Sequence, residues 1–165
     1  MSELEELYKE IQPKIYAFFY VKTLDSSAAE DLTHDVFYEA LKGFHSFSGR
    51  STMQTWLFSI AQNLLKKFYR SKRYRRNLEN MLIENENYHT TSPEDVYIKK
   101  EDSWALLKRI SQLDDLSKEI VTLRIYGELS FKEIGDLLDK SENYTRVTFH
   151  RAKLTLQRGM RVNYE

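Results

Sequence analysis

The sequence predicts an all-α chain built as two small helical domains joined by a flexible linker, the second of them a helix-turn-helix. Three observations lead there. Only five glycines and two prolines punctuate the 165 residues. Apolar residues recur at three- and four-residue spacing through most segments. The periodicity lapses over an Asn- and Glu-rich stretch, 77–92. The expected division is therefore 1–76, a linker 77–92, and 93–165. With 41% apolar and 13% aromatic residues, there is material enough for a core.

The first helix is expected over about 3–22, with a bend at Pro13. Ser27-Ala28-Ala29-Glu30 reads as a capping box opening the second. Leu32, Val36, Ala40 and Leu41 form its apolar face, and Gly43 ends it. After a loop at 44–50, the third helix runs from about Ser51 to Arg73. Leu57, Ile60, Ala61, Leu64, Leu65 and Phe68 make its buried stripe, and Gln62, Asn63, Lys66, Lys67 and Arg70 lie on other faces.

Beyond the linker, Ser92-Pro93-Glu94-Asp95 has a cap, a first-turn proline and acids at the positive end of the dipole, so a helix is expected to about Ser111. Another covers about 115–126 and stops at Gly127. Ser130-Phe131-Lys132-Glu133 is a second capping box, for a helix ending near Leu138. Ser141 caps the last, which continues to about Met160.

The formal net charge is zero, yet the charges are segregated. Residues 1–43 carry a net of −5; residues 44–76 carry eight cations and no acid; residues 77–116 carry −5; residues 141–165 carry +3. A 33-residue stretch without one acid points to an anionic partner rather than to an ordinary solvated face. There is no cysteine, which excludes disulfides, thiolate metal sites and cysteine nucleophiles. The N-terminus is polar and acidic, unlike a signal peptide, and no apolar run approaches membrane-spanning length. A soluble cytoplasmic protein is expected.

Enzyme readings lack their parts, so no catalytic residue is expected. Gly43 to Gly49 ends in Gly-Arg-Ser and is no phosphate-binding loop, and no G-x-S-x-G occurs. A di-metal bundle could draw on Asp31-x-x-His34 and Glu86-x-x-His89, but the second pair falls in the linker. No metal, cofactor or small-molecule substrate is expected.

Residues 130–153 have the form of a helix-turn-helix: a short amphipathic helix, the polar turn Asp139-Lys140-Ser141, and a longer basic helix. Asn143, Thr145, Arg146 and Thr148 could reach base edges in a major groove, and His150, Arg151 and Lys153 add basic character. Gly135, mid-helix, would admit close packing of the second helix. An ordinary helical hairpin is the plainer alternative.

Residues 44–76 interleave their cations with Phe44, Phe47, Trp56, Phe58, Phe68, Tyr69 and Tyr74. Rings stack on unpaired bases while cations hold phosphates. Trp56 and Phe68 fit a core better, and Phe47 is the better candidate for an exposed ring.

Taken together, the two halves resemble an RNA polymerase sigma factor of the extracytoplasmic-function type, over nearly the whole chain. The family's A-E-D-L-x-Q-E-x-F stretch is present as Ala29-Glu30-Asp31-Leu32-Thr33-His34-Asp35-Val36-Phe37. Its F-x-G loop and T-W-L-x-x-I-A-x-N segment are Phe47-Ser48-Gly49 and Thr55-Trp56-Leu57-Phe58-Ser59-Ile60-Ala61-Gln62-Asn63. Its S/Y-x-E-I-A pattern is Ser130-Phe131-Lys132-Glu133-Ile134-Gly135, and its recognition-helix pair is Arg151-Ala152.

The resemblance implies roles. Asp31, His34, Asp35, Phe37 and Glu39 would dock on the clamp helices of the polymerase largest subunit, with the flap a further core contact. Phe47, Ser48, Arg50, Gln62 and Asn63 would read the −10 element as an opened strand, Phe47 and Asn63 lying near the captured base. Lys66, Lys67, Arg70 and Arg73 would hold its backbone. Ser141, Asn143, Thr145, Arg146, Thr148, His150, Arg151 and Lys153 would face the −35 duplex. An anti-sigma factor is the implied regulatory partner, able to hold the protein at the membrane. The sequence departs from the family at His34 for Gln, Asp35 for Glu, Asp114 for Pro, and Tyr144-Thr145-Arg146-Val147-Thr148 for T-V-K-S-R. A dimeric helix-turn-helix regulator acting without polymerase is the alternative.

Overall fold

A computed structural model describes residues 3–82 and 101–162, and every regular element in them is helical. The helices are α1 (Glu3–Thr23), α2 (Ser26–Gly43), α3 (Met53–Leu82), α4 (Glu101–Ser111), α5 (Asp115–Ile125), α6 (Phe131–Leu138) and α7 (Glu142–Val162). A single 3-10 turn, Phe44–Ser46, follows α2.

The second and third helices pack largely by the expected stripes, with Phe58 buried in addition and Ile60, Leu64 and Phe68 only partly buried, and α1 completes the core. α1 contributes Ile11, Ile15, Phe18 and Phe19; α2 contributes Ala29, Leu32, Val36 and Ala40; α3 contributes Leu57, Phe58, Ala61 and Leu65. Burying each large side chain stabilises by roughly 1.5–3 kcal/mol, before conformational entropy is set against it. Phe18 and Phe58 meet edge to face, centroids 5.6 Å apart.

Several boundaries differ from the sequence expectation. Pro13 lies inside α1, which the structure assigns as one helix. Asp25, not Ser27, caps α2: its carboxylate accepts from the Ala28 amide at 3.1 Å. Leu41 leaves the apolar face, 70% exposed, because it sits about 100° around the helix from buried Ala40. The third helix continues to Leu82, so residues 77–82, expected as linker, are helical. The expected helix start at Ser92 and the rest of the linker lie outside the described residues, as do Glu86 and His89.

The second half keeps its expected Ser130 box and tight turn and adds a cap at Asp114. Asp114 caps α5 by accepting from the Ser117 amide, and hydrogen bonding to the Ser117 side chain, then to that amide, holds its carboxyl below the usual carboxylate range. The Ser130–Glu133 capping box is complete, each side chain bonded to the other's amide. The α6–α7 turn is closed by Asp139 in the left-handed region, φ 58°, with the Lys140 amide on the Gly135 carbonyl at 2.9 Å. Gly135 is required there: an added Cβ would stand 2.5 Å from the Lys140 carbonyl oxygen.

The two domains are packed together. Ile120, Leu123, Leu129 and Ile134 of the second join the core of the first, while Ile110, Val121, Ala152 and Leu156 form a smaller core around α7. At the junction the Gly127 turn lies against Phe58, where an added Cβ would come within 3.1 Å of the ring.

Candidate nucleic-acid and polymerase interfaces

On α2, the buried positions 29, 32, 36 and 40 leave Asp31, His34, Asp35 and Glu39 on the outer surface, all exposed. Glu39 makes a loose pair with Lys42 at 3.6 Å. Phe37 is different. It is half-buried, edge-on to Tyr8 with centroids 4.6 Å apart, and lines an apolar cavity of about 340 Å³ with Leu41, Phe44, Met53 and Trp56. Tyr38, 62% exposed beside the acids, is the aromatic that faces outward.

The loop and α3 carry the expected strand-facing set. Ser48, Arg50, Asn63, Lys66, Lys67, Arg70 and Arg73 are exposed. Phe47, expected as a free ring, is half-buried against Trp56 with centroids 5.1 Å apart. The loop turns back onto the start of α3, and the two rings meet at a tilt of 42°. Gln62 is half-buried and already engaged, its amide donating to Glu119 Oε1 of α5 at 3.1 Å.

On α7, the buried stripe is Thr145, Phe149, Ala152 and Leu156. The opposite side presents Asn143, Arg146, His150, Arg151 and Lys153, with Ser141 exposed at the cap and Thr148 half-buried on the flank. Thr145 must be struck from the base-facing set. It is fully buried, and its hydroxyl is held at 2.8 Å from the Phe131 carbonyl and 2.7 Å from that of Glu142, joining α7 to α6. Ser141 accepts from the Tyr144 amide at 3.0 Å, so its hydroxyl serves the helix end. Arg146 is braced by Glu142 at 2.9 Å and lies 5.5 Å from the Phe131 ring, whose other cation, Arg124, stands at 4.3 Å. Exposed Val147 shares the outward face with Asn143 and His150, four residues from the one and three from the other, and Tyr144 is exposed beside them.

Sequence reading also missed a group at the domain junction. Thr52 caps α3, its hydroxyl accepting from the Thr55 amide at 3.1 Å. Both hydroxyls donate to Glu133 Oε2, at 2.8 and 3.0 Å. Burial acts to raise the Glu133 carboxyl, but hydrogen bonds from Thr52, Ser130 and Thr55 outweigh it and hold the group below its ordinary range. Lys22 of α1 pairs with Glu119, and Gln54 donates to the Gly127 carbonyl at 3.2 Å. Beside them opens a cleft of about 690 Å³, lined by Lys22, Gln62, Lys66, Tyr69, Glu119 and Thr122 among others. Tyr69 donates to the Lys22 carbonyl at 2.6 Å, and burial, then the Glu119 charge, pushes its phenol up. Among the described residues no three metal-ligating side chains converge, and no helix is long and apolar enough to cross a membrane.

Comparison with known proteins follows the same division. Residues 7–75 match the family model for sigma-70 region 2, and residues 103–156 that for sigma-70 region 4. The chain is 31% identical over 165 aligned residues to the RNA polymerase sigma factor YlaC of Bacillus subtilis, covering 96% of this chain and 92% of that one. It is 31% identical over 154 residues to the ECF RNA polymerase sigma factor BldN of Streptomyces coelicolor, covering 92% of this chain and 58% of that longer one. The fold resembles the sigma factor RpoE of Bartonella quintana, solved with the anti-sigma factor NepR: TM-score 0.72, 20% identity, 98% of this chain and 99% of that one.

Proposed function

The chain belongs to the sigma-70 family, in the extracytoplasmic-function class, and acts as an RNA polymerase sigma factor; from this premise we propose which of its surfaces meets which partner. The first domain, 1–76, binds core polymerase through the outer face of α2. Asp31, Asp35 and Glu39 lie on one side of the helix at four-residue spacing, exposed, and offer an anionic stripe to the basic clamp helices of the largest subunit.

The loop 44–53 and α3 take the −10 strand as it opens. Arg50, Lys66, Lys67, Arg70 and Arg73 neutralise its phosphates, and the half-buried Phe47 ring offers its exposed part for a base to stack on. Asn63 is free at the surface to read a base edge. The second domain, 93–165, lays α7 in the major groove of the −35 element, with Asn143, Arg146, His150 and Arg151 toward the bases and phosphates. The protein supplies binding and strand separation and carries no chemistry of its own. It works in the cytoplasm, and an anti-sigma factor is its regulator, as NepR is the partner of RpoE in the solved complex.

The observation that carries this reading is the pairing, in one chain, of the acid-free basic stretch 44–76 with a capped helix-turn-helix on α6–α7. Run-off transcription with core polymerase, with and without this protein, on candidate promoters tests it. Specific initiation should require both components, and the free chain should bind promoter duplex weakly. Tight, specific duplex binding by a dimer without polymerase would favour the regulator reading instead.

A further inference from the structure

Phe131 is the first residue of α6, half-buried and seated by the Ser130–Glu133 capping box. Its ring packs on Phe149 of α7, centroids 5.5 Å apart. Arg124 of α5 stands 4.3 Å from the same centroid, with Nη1 donating to the Leu129 carbonyl at 2.9 Å. The ring is thus held from two neighbouring helices. Two exposed residues of the outward face of α7 come to it as well. The Arg146 guanidinium lies 5.5 Å from the centroid and the His150 ring 6.4 Å. Arg146 has a second partner, Glu142, which accepts from its Nη2 at 2.9 Å from one turn earlier in the helix. That bond takes one N–H of the guanidinium and leaves others in the fork for a ligand.

A long exposed arginine samples many rotamers, and a bidentate contact with a base edge uses one of them. A ring and a carboxylate that hold the fork beforehand reduce the ordering lost on binding and fix which edge it meets. We propose that Phe131 and Glu142 are positioning residues for promoter readout. They hold the Arg146 guanidinium toward the major groove, and the discrimination Arg146 makes at one base pair of the −35 element depends on both. Neither touches DNA in this role; each acts through Arg146. The proposal rests on the reading that α7 enters the −35 duplex.

The test is transcription by core polymerase with the full chain from a promoter library randomised over the −35 element, scored base by base. Arg146→Ala should flatten the preference at one base pair and so identify it. Phe131→Leu keeps an apolar side chain and loses the negative face of the ring. It should lower the preference at that same pair by about two- to fivefold, the size of an exposed cation–π contact. Phe131→Tyr keeps the ring and should keep the preference. Added to Arg146→Ala, Phe131→Leu should change nothing further at that pair. A loss of output with an unchanged profile marks Phe131 as packing alone and overturns the proposal. So does a change confined to other pairs, or a Tyr variant that behaves as the Leu variant does.

Glu142→Ala supplies a second arm that leaves the packing around Phe131 intact, since Glu142 is exposed. It should weaken the same pair by about twofold. Removing an acid beside DNA raises binding at every sequence alike, so the ratio between bases is the readout, and an unchanged ratio overturns the proposal. Joint replacement of Asn143, Arg146, His150 and Arg151 by Ala separates the two failures. If the −35 profile survives it, α7 does not read the element, and the proposal falls with that reading. If the profile is erased while Phe131→Leu and Glu142→Ala preserve it, the positioning role alone falls.

Discussion

Glu133 accepts from Thr55 at 3.0 Å across 78 residues of sequence while its other oxygen closes the α6 capping box on the Ser130 amide at 3.2 Å. One carboxylate therefore serves a helix end and the contact between domains. Its pKa is lowered by those hydrogen bonds against the opposing effect of burial. A carboxyl depressed in the folded state contributes stability that is fully present above its unfolded pKa, about 4.3, and is lost as pH falls through the folded value. The difference in melting temperature between wild type and Glu133→Gln should be largest at neutral pH and shrink on acidification below about pH 4. A difference independent of pH would show that the charge plays no part.

The Lys22–Glu119 pair is mostly shielded, with side chains 12% and 20% exposed. Its coupling should fall between the roughly 0–1 kcal/mol of exposed pairs and the larger cost of breaking a buried one, at about 1–2 kcal/mol. Lys22→Glu should lower stability in urea unfolding, and Lys22→Glu/Glu119→Lys should recover most of the loss. Additive losses in this cycle would rule out a specific pair.

Gly135→Ala should destabilise the second domain by about 1–3 kcal/mol through overpacking. The added methyl has no room 2.5 Å from the Lys140 carbonyl oxygen, which lies in the turn itself and cannot swing aside like a side chain. Denaturant unfolding of the full chain checks the size of the loss.

Thr145→Val should cost about 1 kcal/mol of stability, because it removes the hydroxyl that ties α7 to the Phe131 carbonyl. Promoter base preference, read by transcription from a −35 library, should be unchanged. An altered preference would return Thr145 to the reading face.

Asp31→Lys/Asp35→Lys should impair core-polymerase binding by about tenfold or more, as reversed charges meet a basic partner. Helicity should persist, since both side chains are exposed and without a role in the core. Wild-type affinity in a core-binding titration would mark this face as mere solvent-facing surface.

Local signals carried most of the elements. The stripes of α2 and α3, the Ser130 box and the Gly135 turn were legible because period, caps and turn chemistry act within a few residues. Motif order and spacing in both halves were legible for the same reason, and the family models match the same two halves. The second helix start was misplaced because Asp25 and Ser27 are both competent caps, and only backbone geometry selects between them. Thr145 and Phe47 were misjudged for a related reason: a polar side chain on a recognition helix and a ring in a loop both look available until their neighbours are known.

By itself, then, the sequence determined an all-helical chain, its two halves, its acid-free basic face and its recognition helix. These follow from periodicity and charge order, which are properties of neighbours in the chain. Only the tertiary structure decided that the halves close on one another, with Phe58 against Gly127 and the α3 donors on Glu119 and Glu133. Such contacts join residues 57 to 81 positions apart, and their register depends on how two finished surfaces fit.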